Sequence, residues 1–185
     1  MMAAPLTSLA QALAHYATRW PAEDDVVDAF LILLREGGPD AFQRHHLPGH
    51  FTGSAWLVSA DGRRTLLTHH RKLRRWLQPG GHADGEVDLP AVALREASEE
   101  SGLAGLLGEH EIFDIDRHLI PARGVEPAHW HYDVRYVIRA TADERYAVSE
   151  ESLDLAWRAI EEVATAVATE PSLRRMAEKW LAKGE

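Results

Sequence analysis

Residues 80–103 read GGHADGEVDLPAVALREASEESGL, and the second half of this stretch is a helix by its own periodicity. At roughly 100° per residue, Leu89, Val92, Ala93 and Leu103 fall on one arc of a helical wheel, the side turned toward a core. Gly102 stops the helix, as glycine often does just past the last turn. Glu96, Glu99 and Glu100 lie inside that apolar arc or at its edge, whereas Ala91, Arg95, Ser98 and Gly102 occupy the opposite side. The acids point where apolar side chains are expected.

Carboxylates at i, i+3 and i+4 repel one another by roughly a few tenths of a kcal/mol per pair on an exposed helix, and by more in drier surroundings. Arg95 reaches Glu99 at i+4, but one guanidinium does not neutralise three acids. A hard divalent cation with oxygen ligands does, and magnesium retains several waters when only a few carboxylates hold it. A solvated acidic face is the ordinary fate of an E-x-x-E-E run. The inward arc and the glycine-rich loop before it set this run apart.

The full stretch closely resembles the Nudix box: a glycine, five residues, a glutamate, seven residues, then R-E-U-x-E-E-x-G-U, with U a bulky aliphatic. Gly81 takes the first glycine, and Arg95, Glu96, Glu99, Glu100, Gly102 and Leu103 follow in register. Ala97 stands at the first U. Val87 stands where the pattern has its loop glutamate, with Glu86 and Asp84 as the nearest acids, which bears on the number of metals bound. The resemblance implies an α/β/α sandwich with a mixed sheet, and hydrolysis of a diphosphate linkage in a nucleoside diphosphate derivative by attack of water on phosphorus. It implies Mg2+, with Mn2+ as a substitute, held by Glu96, Glu99, Glu100 and the backbone carbonyl of Gly81. It further implies that Arg95 orients the acids through a salt bridge and that Glu96 or Glu99 is the general base. Glu150 or Glu151, in the loop before the last strand, is the alternative base. Trp76-Leu77-Gln78-Pro79 and Leu155-Ala156-Trp157 extend the likeness loosely across 51–160.

Outward from the box, residues 51–59 and 64–70 are short β-prone runs around Asp61-Gly62, a hairpin signal. Strand-like segments follow at about 111–119, 130–140 and 153–159. In the second of these, Trp130, Tyr132, Val134, Tyr136 and Ile138 alternate with His129, His131, Asp133 and Arg135, the pattern of a half-buried strand with one polar face. Helices are expected at 160–168 and 171–182, the latter opened by Pro171. Toward the N-terminus, Leu6, Leu9, Leu13, Tyr16 and Trp20 form one helical stripe, and Pro21 opens a second helix that runs to Gly37 and Gly38. Residues 1–48 thus read as a helical extension packed on one domain, 49–185, and a homodimer through that extension is expected.

The chain of 185 residues carries 29 acidic and 20 basic side chains, a net charge of −9 that disfavours nucleic acid or anionic lipid as a partner. There are no cysteines, which excludes disulfides, thiolate metal sites and a cysteine nucleophile. No stretch has the apolar length of a membrane span and the N-terminus lacks a signal pattern, so a cytoplasmic location is expected.

Four further residues are candidates for substrate contact: Arg75, His82, His129 and His131. Arg75 ends the basic run Arg71, Lys72, Arg74, Arg75, which suits phosphates or simply a charged sheet edge. His129 and His131 at i, i+2 offer two metal ligands with a third unplaced, and histidine is equally at home on a polar sheet surface. Trp56, Trp130 and Trp157 fit core positions, leaving Trp20 and Trp76 as looser candidates for stacking a base. Two rival readings share the fold. A non-catalytic nucleotide-sensing module predicts a broken acid set, and an enzyme like isopentenyl diphosphate isomerase needs a cysteine that is absent.

Overall fold

The computed structural model describes residues 4–183 except 142 and 151. Helices α1 (Ala4–Arg19) and α2 (Asp24–Gly37) lead into strands β1 (Gly49–Val58), β2 (Arg64–His70), β3 (Arg75–Leu77) and β4 (Gly80–His82). Helix α3 (Leu89–Ser101), strands β5 (Leu107–Ile120), β6 (His129–Arg139) and β7 (Ser152–Ala159), and helices α4 (Ile160–Thr165) and α5 (Pro171–Ala182) complete the chain. The sheet runs β3-β2-β1-β6-β5, with β4 also on β1 and β7 also on β2. It is mixed: β1 and β6 are parallel and the other pairs antiparallel.

One face packs against α1, α2 and α3 through Leu9, Leu13, Phe30, Phe51, Val92 and Tyr132, all in one apolar cluster. The other face carries a second cluster in which Trp56 and Val137 meet Ile160, Leu173 and Met176 of α4 and α5. These two layers make the sheet the middle of an α/β/α sandwich. The stripe of α1 (Leu6, Leu9, Leu13, Tyr16) is buried in the chain's own core, so dimerisation is not what covers it.

Two expectations are corrected: the glycine-rich loop before the acid helix is in part a strand, β4, and β6 is not half-buried. The hairpin around Asp61-Gly62 forms, with Ser59 N–H donating to Arg64 O at 2.9 Å, but its strands pair only at Val58 and Thr65. They splay because β4 takes the edge of β1 at Thr52, Gly53 and Ser54 while β2 pairs along β7. Strand β6 is not half-buried. It lies inside the sheet between β1 and β5, and the alternate positions His129, Asp133 and Arg135 are buried along with its apolar face.

Candidate active site

Helix α3 starts where Asp88 accepts from Ala91 N–H at 3.4 Å, and Gly102, at φ +68°, ends it in the left-handed conformation that glycine adopts without penalty. Its inner residues Leu89, Val92, Ala93 and Ala97 are buried, and Val92 sits so close to Gly53 that a Cβ there would come within 2.9 Å of it. That approach sets the helix directly over β1 and swings its acids onto β4.

Gly80 and Gly81 of β4 are needed for opposite reasons, because successive strand residues face opposite sides. A Cβ at Gly80 would lie 2.1 Å from Ser54 Oγ on one face, and a Cβ at Gly81 would lie 2.5 Å from Glu96 Oε2 on the other. The half-buried Glu96 carboxylate is therefore against the backbone of residue 81. Glu100 Oε1 accepts the Gly80 N–H at 2.8 Å. Arg95 donates to Glu96 Oε1 at 2.9 Å and to the His82 carbonyl at 3.1 Å, so its acidic partner is Glu96 rather than the i+4 residue Glu99. Glu99 is exposed. The carboxylates of Glu96, Glu99 and Glu100 offer only hard oxygen ligands, a set that fits magnesium.

The other expected residues are dispersed. Arg75 is exposed on β3, 3.4 Å from Glu170, in a cleft on the α4 and α5 side lined also by Trp76 and Arg158. Trp76 stacks on His69 at 5.0 Å, and Trp20 packs under the Lys179 ammonium at 4.6 Å. The exposed Glu150 lies in the turn before β7, where its carbonyl accepts from Arg71 Nε at 2.8 Å; Glu151 lies outside the described residues. Val87 is half-buried against the main core beside Leu9 and Ala12 of α1.

On the sheet face that Ser54 shares, register assembles a polar patch that the periodicity of single strands does not reveal. His50, Thr52 and Ser54 of β1 pair with His131, Asp133 and Arg135 of β6, and His82 pairs with Thr52. Asp133 accepts from Thr52 Oγ1 at 2.9 Å, Ser54 Oγ at 2.7 Å and Arg135 Nε at 2.7 Å. Burial, reinforced by the neighbouring His82, pushes the His50 pKa down to about 4 against an opposing influence of the His46 backbone. Burial likewise takes His131 down to about 2 and lowers His82, so these rings are neutral near pH 7. His129 is buried with its Nδ1 2.9 Å from the Pro127 carbonyl, whereas His82 and His131 are half-buried. The hint available in sequence was the alternation His50, Thr52, Ser54 within β1.

A family model described as the NUDIX domain matches residues 50–180. The chain belongs to the Nudix family. Among curated relatives, a Mycobacterium tuberculosis protein named "Putative 8-oxo-dGTP diphosphatase 3" is 33% identical, the match covering 63% of this chain and 55% of the relative. The chain thus spans about half the length of the curated relatives it matches. Among solved structures, a NUDIX family hydrolase from Clostridium perfringens aligns with TM-score 0.57 at 27% identity, covering 74% of this chain and 98% of that one. A C. elegans Ap4A hydrolase binary complex aligns with TM-score 0.57 at 18% identity over 72% of this chain and 96% of that one, a likeness of fold. The Nudix match begins after α1 and α2, and no helix among the described residues is long and apolar enough to cross a membrane.

Proposed function

We propose that this Nudix chain is a pyrophosphohydrolase that cleaves a diphosphate linkage in a nucleoside diphosphate derivative by attack of water on phosphorus. The observation that carries this reading is the Glu96 carboxylate lying where a Gly81 side chain would stand, with Glu100 bound to the adjacent Gly80 N–H. Residues 1–48 are taken as a helical extension of the 49–185 domain, a division supported by the start of the family match at residue 50.

In this reading Glu96, Glu99, Glu100 and the Gly81 carbonyl hold Mg2+, for which Mn2+ substitutes. When bound, the cation offsets diphosphate charge and makes water a better nucleophile. Arg95 keeps the Glu96 carboxylate turned toward β4 through its paired contacts to that acid and to the His82 carbonyl. Glu99, exposed at the helix surface, or Glu96 accepts the proton of the attacking water, with Glu150 or Glu151 as the alternative base. Arg75 is proposed to meet a substrate phosphate, and His82 and His131 are better placed for substrate contact than the buried His129. The intact acid set favours this enzyme over a purely sensing module. The 8-oxo-dGTP diphosphatase and Ap4A hydrolase relatives suggest modified nucleoside triphosphates and dinucleoside polyphosphates as the first compounds to try.

A screen of nucleoside diphosphate derivatives with magnesium, with products identified by mass and the cut located with isotopically labelled water, tests the proposal. Release of a labelled phosphate product that stops on addition of chelator is the expected result. Undiminished turnover in excess chelator, or no turnover of any diphosphate compound, overturns it.

A further inference from the structure

The polar face of the sheet brings together histidines that the proposed hydrolysis does not use as a group. His50, His82 and His131 come from three different strands, β1, β4 and β6, and their ligand nitrogens all lie within 4.8 Å of one another. Register enforces the meeting: His131 is the direct partner of His50 across the parallel pair, and His82 is the partner of Thr52, two residues along β1 on the same face. The ring centroids are 4.9 Å apart for His50 and His131, 5.2 Å for His50 and His82, and 5.0 Å for His82 and His131.

His50 is 1% exposed, and neither of its ring nitrogens makes a hydrogen bond of normal length and angle among the described residues. A neutral imidazole carries both a donor and a lone pair, and buried polar atoms of this kind are almost always satisfied. His129 adds a second constraint. Its Nδ1 lies 2.9 Å from the Pro127 carbonyl, which can only accept, so Nδ1 carries the proton and the Nε2 lone pair faces His131 Nε2 at 3.3 Å. The orientation of the His131 ring is thereby held from behind, as the outer partners of metal-bound histidines commonly do.

We propose that His50, His82 and His131 form a nitrogen-donor site for a divalent transition metal of the zinc class, with His129 as a positioning residue. Zinc takes imidazole readily at about 2.0–2.1 Å, and three protein ligands leave its fourth position open. Magnesium, which requires oxygen, does not compete for such a set. Gly81 faces Glu96 and His82 faces the trio, so the two donor sets lie on opposite sides of one strand. A metal on the histidine side pins β4, and with it the backbone of Gly81, against β1 and β6. This inference rests on the histidine geometry and not on the proposed hydrolysis.

The test uses the full, untagged chain, stripped with chelator and then titrated with zinc in excess magnesium, with bound metal counted by elemental analysis after gel filtration. Cobalt(II) in place of zinc gives an absorption spectrum whose intensity distinguishes four-coordinate nitrogen ligation from six-coordinate oxygen ligation. One zinc per chain, retained in Glu96→Gln and weakened at least about a hundredfold in His82→Gln and His131→Gln, is expected. His129→Gln is expected to weaken it by about ten- to a hundredfold. Circular dichroism identifies any variant that fails to fold, and the cobalt spectrum of the unaltered chain then decides alone. No zinc retained by the unaltered chain, zinc retained by folded His82→Gln and His131→Gln, or a six-coordinate cobalt spectrum overturns the proposal. Neither zinc count nor cobalt spectrum depends on turnover, so failure of the hydrolase reading leaves this result interpretable.

Discussion

The carboxylate of Glu96 stands in the space that a side chain on residue 81 would occupy, an ideal Cβ on Gly81 falling 2.5 Å from Oε2 and 2.6 Å from Cδ. Gly81 is not among the positive-φ glycines, so alanine there meets no backbone strain and acts through this contact alone. Gly81→Ala is expected to push the Glu96 carboxylate off β4 and lower turnover by about a hundredfold, equivalent to roughly 3 kcal/mol of transition-state stabilisation. Steady-state rates beside a far-ultraviolet spectrum check it; a folded variant with full activity means that Glu96 is free to work elsewhere.

Glu100→Gln keeps an oxygen able to accept the Gly80 N–H while removing one negative charge from the helix that also bears Glu96 and Glu99. Without magnesium the variant is expected to melt at or above the temperature of the parent, since like-charge repulsion is relieved. With magnesium the order reverses, because a ligand that binds the folded state stabilises the parent by mass action. Turnover falls by at least about a hundredfold. Paired melts with and without magnesium check both halves, and a variant destabilised without metal yet fully active marks Glu100 as purely structural.

Val87, at the position of the usual loop glutamate, is half-buried against the core near Leu9 and Ala12 of α1. Val87→Glu is expected to cost about 1–3 kcal/mol by placing a carboxylate among apolar neighbours. The magnesium concentration for half-maximal rate should not change. Urea unfolding and a magnesium titration measure the two effects; a lowered magnesium requirement would show that a carboxylate at 87 reaches the metal.

Asp114 is completely buried and accepts from Arg135 at 3.0 Å, Arg175 at 2.8 Å and Lys179 at 2.7 Å. Lys179 also donates to Tyr16 Oη at 2.5 Å, joining α5 and α1 to the sheet. Burial raises the Asp114 pKa, but the Arg175 hydrogen bond and the surrounding cations outweigh it and hold the group below the usual carboxylate range. Asp116 is held low in the same way, burial being overcome by His118, Arg135 and Arg175. Asp114→Asn is expected to cost about 3–5 kcal/mol, the effect of stranding buried cations.

The pH dependence follows from the same two acids. A carboxylate with a depressed folded-state pKa contributes stability that is fully present above its unfolded value of about 3.9 and is lost as pH falls through the folded value. The contribution of these two acids should therefore hold from pH 7 down to about 5 and decline below about 4, with a shallower decline in Asp114→Asn. Unfolding free energies across that range check the sign. Equal slopes in parent and variant would remove Asp114 from the account.

The acid helix was legible in sequence because its signal is local, whereas the glycine-rich stretch before it, read as a loop, folds in part as strand β4. Glu96, Glu99 and Glu100 fall on one arc of a single helix, and α1 and α2 announced their buried faces by spacing alone. The same local reading misjudged β6, since alternation of polar and apolar residues within one strand is silent about neighbours that cover the polar face. His129 and His131 were visible as a pair lacking a third ligand, while His50 lies 81 positions before His131 in the sequence. What placed His50 opposite His131, and Asp114 among three cations, was strand register and the layering of helices on a closed-in sheet. Periodicity is set by the geometry of a few consecutive residues; register between distant strands is set by the packing of the whole core, so only the tertiary structure could decide it.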